Sequence, residues 1–140
     1  MIADRVVLAI DFDGTIAVQD YPRIGILIEE AKEVINSLYD SGEYIIIIWS
    51  CRDEKEELEM IKFLNENDIR YHYINENCEE FIQLRKSYNM EVPKRKIYYD
   101  ILVDDRALLS QSVKKDFPPY MDWMEIKWRI EEQAEKEKNK

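Results

Sequence analysis

The 140-residue chain is predicted to fold as a single α/β domain, a three-layer, doubly wound and mainly parallel sheet with helices on both faces. Three observations predict it. Short uninterrupted apolar runs recur along the chain, helical apolar periodicity lies between them, and the runs stop abruptly at polar residues. A strand that is apolar at every position is buried on both faces, as it is when helices cover both sides of a parallel sheet. A chain of this length buries one core and not two, so residues 1–140 are read as one domain.

Val6 to Ile10 is the first apolar run, and the polar cluster Asp11 to Thr15 ends it. Beyond a loop containing Pro22 and Gly25, Ala31, Val34, Ile35 and Leu38 recur at helical spacing, with Gly42 where a C-terminal cap belongs. Tyr44 to Trp49, with four consecutive isoleucines, reads as a central strand that ends at Ser50-Cys51-Arg52. Asp53 is the expected N-cap of a helix reaching about Asn67, with Leu58, Ile61 and Leu64 on its buried side. Tyr71 to Ile74 is a third strand, Glu79 to Tyr88 a helix, and Ile97 to Val103 a strand closed by Asp104-Asp105. Trp123, Ile126 and Ile130 mark a last helix, and Trp128 is also assigned to packing. The charged run Glu131 to Lys140 has little to bury and is expected to fray.

Composition narrows the function. A formal charge of −10 excludes general nucleic-acid binding through a basic footprint, although a nucleotide or a nucleic-acid end remains an acceptable substrate. No apolar stretch approaches the roughly 20 residues of a membrane span, and the N-terminus carries no signal-peptide pattern. Cys51 and Cys78 form neither a disulfide framework nor a Cys-x-x-Cys pair. A cytoplasmic protein with reduced thiols and no membrane partner is expected.

In a parallel sheet of this kind the ligand site lies beyond the C-terminal ends of the strands. Three strands finish there in Asp11, Ser50 and Asp104. Asp11-Phe12-Asp13-Gly14-Thr15 sets two carboxylates two residues apart directly after a buried strand, with a glycine that lets the chain turn. At average residue usage, Asp-x-Asp-Gly-Thr arises by chance in about one chain in a thousand of this size, which argues against simple turn chemistry.

That pentapeptide resembles the first signature motif of the haloacid dehalogenase-like phosphatases. Ser50 resembles the second motif, Lys96 the third and Asp104-Asp105 the fourth, so the resemblance spans roughly residues 6 to 106. It implies a Rossmann-like core and a Mg²⁺-dependent phosphohydrolase that forms an aspartyl phosphate on Asp11. Asp11, Asp104 and the backbone carbonyl of Asp13 would supply oxygen ligands to Mg²⁺, with Asp105 behind them. Asp13 would protonate the leaving oxygen and then activate water. Ser50 would donate to a phosphoryl oxygen, and Lys96 would balance charge. The stretch Phe12 to Gly14, through its amides, and Cys51 and Arg52 are the substrate-binding candidates. The loop after Thr15 and the segment before Lys96 are both short. The chain therefore resembles the branch with no large cap domain, whose open site takes a phosphorylated small molecule, a nucleotide or the phosphorylated end of a macromolecule, or is covered by a second copy in a homo-oligomer.

Several residues keep two readings. Ser50 can instead cap the following helix, and Lys94 rivals Lys96. Arg52 can be a loop arginine, and Cys51 a buried small residue. Asp100 stands four residues before Asp104, about 13 Å along a strand, and so is expected at the opposite end. His72 reads as structural, and Asn75 and Asn77 as turn formers or site-lining residues. The rival functions are a receiver-like domain and a catalytically inactive phosphate- or protein-binding module. In a receiver the acidic pair comes first and the phosphorylated Asp ends the third strand, whereas the third strand here carries no such Asp.

Overall fold

The computed structural model describes residue 2 and residues 4–107, 113–114 and 120–140. Strand β1 (Val6–Ile10) is followed by helix α1 (Ala31–Ser41), β2 (Tyr44–Ile48), α2 (Glu54–Glu66), β3 (Tyr73–Ile74), α3 (Glu79–Ser87) and β4 (Ile101–Val103). A ribbon of β5 (Val113–Lys114) and β6 (Tyr120–Met121) and the long helix α4 (Trp123–Lys138) complete the order. The first four strands form one all-parallel sheet in the order β3-β2-β1-β4, an α/β arrangement of Rossmann-like type. The antiparallel β5–β6 pair was not anticipated, since two-residue strands carry no apolar run to read. Among the described residues no helix is long and apolar enough to cross a membrane.

Every residue of β1 and β2 is buried, as strands covered on both faces require. Their side chains alternate between two apolar clusters. Val6, Leu8, Ile10, Ile46 and Ile48 join residues of α1, α2 and α4, while Val7, Ala9, Ile45 and Ile47 join Cys78, Ile97 and Phe81. Gly42 caps α1 at φ 73°, donating its N–H to Tyr39 O.

The expected strands Tyr71–Ile74 and Ile97–Val103 both start later than their apolar runs suggest, for one shared reason. His72 donates its N–H to Ile46 O and takes the Ile46 N–H with its own Nδ1 (2.9 Å). Asp100 does the same to Val7, bonding Val7 O with its N–H and accepting Val7 N–H at Oδ2 (2.8 Å). In each case a side chain replaces the carbonyl that would have continued the ladder. Asp100 thus lies at the sheet end away from Asp104, as expected.

Two packing expectations are corrected. Leu64 is buried as expected, but Leu58 is 68% exposed, and Met60 and Phe63 face the core in its place; at about 100° per residue Leu58 stands roughly 200° from Met60. Trp128 is 60% exposed for the same reason relative to Ile126 and Ile130. Helix α4 continues through the charged run to Lys138; Ala134 extends its buried stripe and Lys138 reaches Glu43 and Glu135. Asp53 occupies the N-cap position of α2, but its side chain makes no capping bond.

Candidate active site

The register of the sheet assembles the site. Ile10 pairs with Val103, and Asp11 extends that ladder by donating its N–H to Val103 O (2.9 Å), which sets Asp11 beside Asp104. Carboxylate oxygens of Asp11, Asp104 and Asp105 all lie within 4.8 Å of one another, although the chain separates the first from the others by most of its length. The three can hold a divalent cation. Without one they repel each other. Burial first, then the charges of Asp104 and Asp105, pushes the Asp11 carboxyl up to about 7, and burial also raises Asp105.

Thr15, fully buried, ties the cluster together. Its hydroxyl donates to Asp11 Oδ2 (3.1 Å) and accepts from the Asp105 N–H (3.1 Å). Its own carbonyl accepts the indole N–H of Trp123 (2.8 Å), so the first residue of α4 steadies the loop that follows β1. Neither contribution was read from the sequence, where Thr15 figured only as the end of a motif and Trp123 as packing. Gly14 sits at φ +86°, and a Cβ there would fall 2.3 Å from Asp105 Oδ2. This position therefore requires glycine for both conformation and space. The buried Phe12 turns the loop by accepting at its carbonyl from the N–H groups of Thr15, Ile16 and Ala17.

The Asp13 carboxylate does not join the cluster. Arg52 grips it with two bonds, Nε to Oδ2 at 2.7 Å and Nη2 to Oδ1 at 2.8 Å. Nη1 donates to Pro22 O (3.0 Å), Nη2 also donates to Arg23 O (2.7 Å), and the guanidinium lies over the rings of Phe12 and Tyr21. Arg52 is 1% exposed. In this structure each guanidinium nitrogen bonds a protein acceptor, so the side chain is engaged with the loop after β1.

Ser50 leaves β2 one residue after Trp49, whose N–H donates to Ile10 O (2.8 Å). The Ser50 hydroxyl accepts from Arg52 N–H (3.0 Å), a turn bond that leaves its hydrogen available to donate. Cys51 is exposed rather than buried, while Cys78 is buried. Asn75, at φ 52°, fastens this loop to β3: it accepts from Ser50 N–H (2.7 Å) and donates to Arg52 O and to Glu57 Oε2. Lys94 and Lys96 are both exposed and line one cavity with Trp49, Asn75 and Asn77, beyond the C-terminal ends of β2 and β3. Among the described residues neither lysine makes an ion pair, so geometry does not rank them.

No protein-family model and no curated protein sequence matches the chain. A solved structure of a conserved protein from Bacteroides thetaiotaomicron is similar to it, with a TM-score of 0.71 and 28% identity over 92% of each chain. The likeness supports the α/β fold.

Proposed function

We infer that the chain is a Mg²⁺-dependent phosphomonoesterase of the haloacid dehalogenase-like superfamily, acting through an aspartyl phosphate on Asp11. The carrying observation is the convergence of Asp11, Asp104 and Asp105 within 4.8 Å at the end of the parallel sheet. On this reading the layers are doubly wound, no large cap covers the site, and the protein works in the cytoplasm.

Three hard oxygen donors and an unrelieved like-charge cluster suit Mg²⁺, held by Asp11 and Asp104 with Asp105 in support. When bound, the cation neutralises the phosphoryl oxygens and the carboxylates that face them. An Asp11 oxygen attacks phosphorus and the ester P–O bond breaks, while Asp13 passes its proton to the leaving oxygen. Asp13 then takes a proton from water as that water attacks the phosphoryl group, releasing phosphate and restoring Asp11. Ser50 donates to a phosphoryl oxygen and Lys96 offsets its charge. Thr15 holds Asp11 in one orientation throughout. To donate a proton, Asp13 must first release at least one Arg52 bond, since both its oxygens are engaged as acceptors.

That clamp favours one alternative, a phosphate-binding module in which Asp13 stays locked and turnover is absent. A screen of phosphate esters with and without Mg²⁺, run beside Asp11→Asn, decides between them. Metal-dependent phosphate release that disappears in the variant supports the enzyme. Metal-dependent phosphate binding without release supports the module.

A further inference from the structure

At the same sheet edge lies a second feature that the proposed chemistry uses only through Lys96. Past the ends of β2 and β3 lies a cavity of about 220 Å³, room for about seven waters at roughly 30 Å³ each, which suits a small organic group and not a polymer. Trp49, Ile82, Val92, Pro93 and Ile97 give it an apolar lining, and the exposed Lys94 and Lys96 line it as well. One of its lining residues, Trp49, donates its N–H to Ile10 O, the carbonyl of the residue before Asp11, and precedes Ser50 in the chain.

The segment that carries the lysines is held in place. Asn77, almost fully buried, accepts the Tyr98 N–H at Oδ1 (2.7 Å) and turns its Nδ2 to Pro93 O and Lys96 O. In a chain of net charge −10, Lys94 and Lys96, like Lys32 and Lys86, have no ion-pair partner among the described residues, whereas Lys55, Lys62, Lys127 and Lys136 each sit beside a glutamate. Glu76 is the one acid on the cavity wall. Two uncompensated ammonium groups with an apolar lining form a receptor for an organic anion.

We propose that this cavity binds the part of the substrate that is not transferred. It selects phosphate esters whose organic portion carries a second anionic group, a carboxylate or another phosphate, against Lys94, with its body packed on Trp49. Its place as a specificity site rests on the phosphoesterase reading, in which Lys96 serves the transferred phosphoryl group.

The test has two arms. Inorganic sulfate is titrated into the metal-free protein and followed by amide chemical shifts; without a cation the aspartate cluster repels anions, so a saturable response at Asn77 and Lys94 reports the cavity. Lys94→Ala is expected to weaken that binding about five- to tenfold. In the second arm, kcat/KM with Mg²⁺ is compared for phosphate esters of matched size bearing a distal hydroxyl, carboxylate or phosphate. The doubly anionic esters are expected to exceed the hydroxyl ester by about tenfold, mainly through KM, with the ratio collapsing toward one in Lys94→Ala. The carboxylate and phosphate members tell which anion is preferred. Equal kcat/KM across the set, or a ratio unchanged by Lys94→Ala, overturns the specificity site while leaving the esterase intact. Lys94-dependent sulfate binding without turnover of any ester upholds the anion cavity and overturns the esterase. Loss of neither binding nor preference in Lys94→Ala overturns the proposal outright.

Discussion

Arg52 holds Asp13 in a two-pronged ion pair, and the arginine, not the aspartate, is the more deeply buried partner. The guanidinium also supports the backbone at Pro22 and Arg23, so one side chain joins the end of β2 to two separate parts of the loop that follows β1. Removing it strands a carboxylate and two carbonyls together. Arg52→Ala is expected to destabilise the fold by about 3–5 kcal/mol, the usual penalty for breaking a buried pair. Arg52→Lys keeps the charge but cannot form the fork, and should retain more of the stability than Arg52→Ala; on the proposed phosphatase reading, the lost fork also frees Asp13 from its fixed orientation and changes kcat. Urea denaturation beside kcat measurements separates the two effects; equal stability in Arg52→Ala and wild type would contradict the burial argument.

Gly14→Ala tests the packing behind the acidic cluster. The added Cβ meets Asp105 Oδ2 at 2.3 Å, and the backbone at φ +86° adds strain that an L side chain feels by about 1–2 kcal/mol. Asp105 has to move, and with it the support of Asp11 and Asp104. Metal affinity read by calorimetry should drop about tenfold, the lower end of what losing such a supporting partner does. Unchanged affinity would mean that Asp105 plays no part in holding the cation.

The parts of this molecule that were legible in its sequence are those where side-chain chemistry and backbone pairing agree. Val6–Ile10 and the isoleucine strand are apolar throughout and pair along their whole length. The Asp11 to Thr15 turn and the Asp104-Asp105 pair were legible because a strand end fixes where each points. What escaped notice are side chains that act as pieces of backbone: His72 and Asp100 each take over a ladder acceptor, which no apolar pattern records. The Arg52–Asp13 pair escaped for a different reason, since 39 residues separate its members and nothing local ties them. In α2, spacings of three from Leu58 drift around the helix, and Met60 with Leu64, four apart, marks the true face.

His72 is the sole histidine, so its titration can be followed without assignment. Its Nδ1 accepts the Ile46 N–H and therefore carries no proton, its ring stacks on Tyr39 at 4.4 Å, and burial, helped by Arg5 and opposed by Glu80, lowers its pKa below 6.5. The folded state thus binds fewer protons than the unfolded one just below pH 6.5, and stability from this group is lost as pH falls through that range. The imidazole proton resonance should titrate below 6.5. His72→Gln, whose amide oxygen can still accept, should flatten the acid limb of the stability curve; a midpoint above 6.5 would overturn the assignment.

Asp11 has the opposite sign. Its carboxyl stands at about 7 in the metal-free protein against 3.8 when unperturbed, so between those values the folded state holds the extra proton. Stability from this group is present below 3.8 and is lost as pH rises toward 7. At pH 8 the metal-free protein therefore carries the full repulsion among Asp11, Asp104 and Asp105. Asp11→Asn removes it and should raise metal-free stability by at least about 1 kcal/mol, one pKa unit being about 1.4 kcal/mol, while abolishing phosphate release. Mg²⁺ should protect the wild type more at pH 8 than at pH 5, because the cation competes with the proton held at low pH. Thermal melts of both proteins at the two pH values, with and without Mg²⁺, read all of this at once. A metal-induced shift of equal size at pH 5 and pH 8, or one that survives intact in Asp11→Asn, would mean that the cation binds elsewhere and that the cluster at the ends of β1 and β4 is not its site.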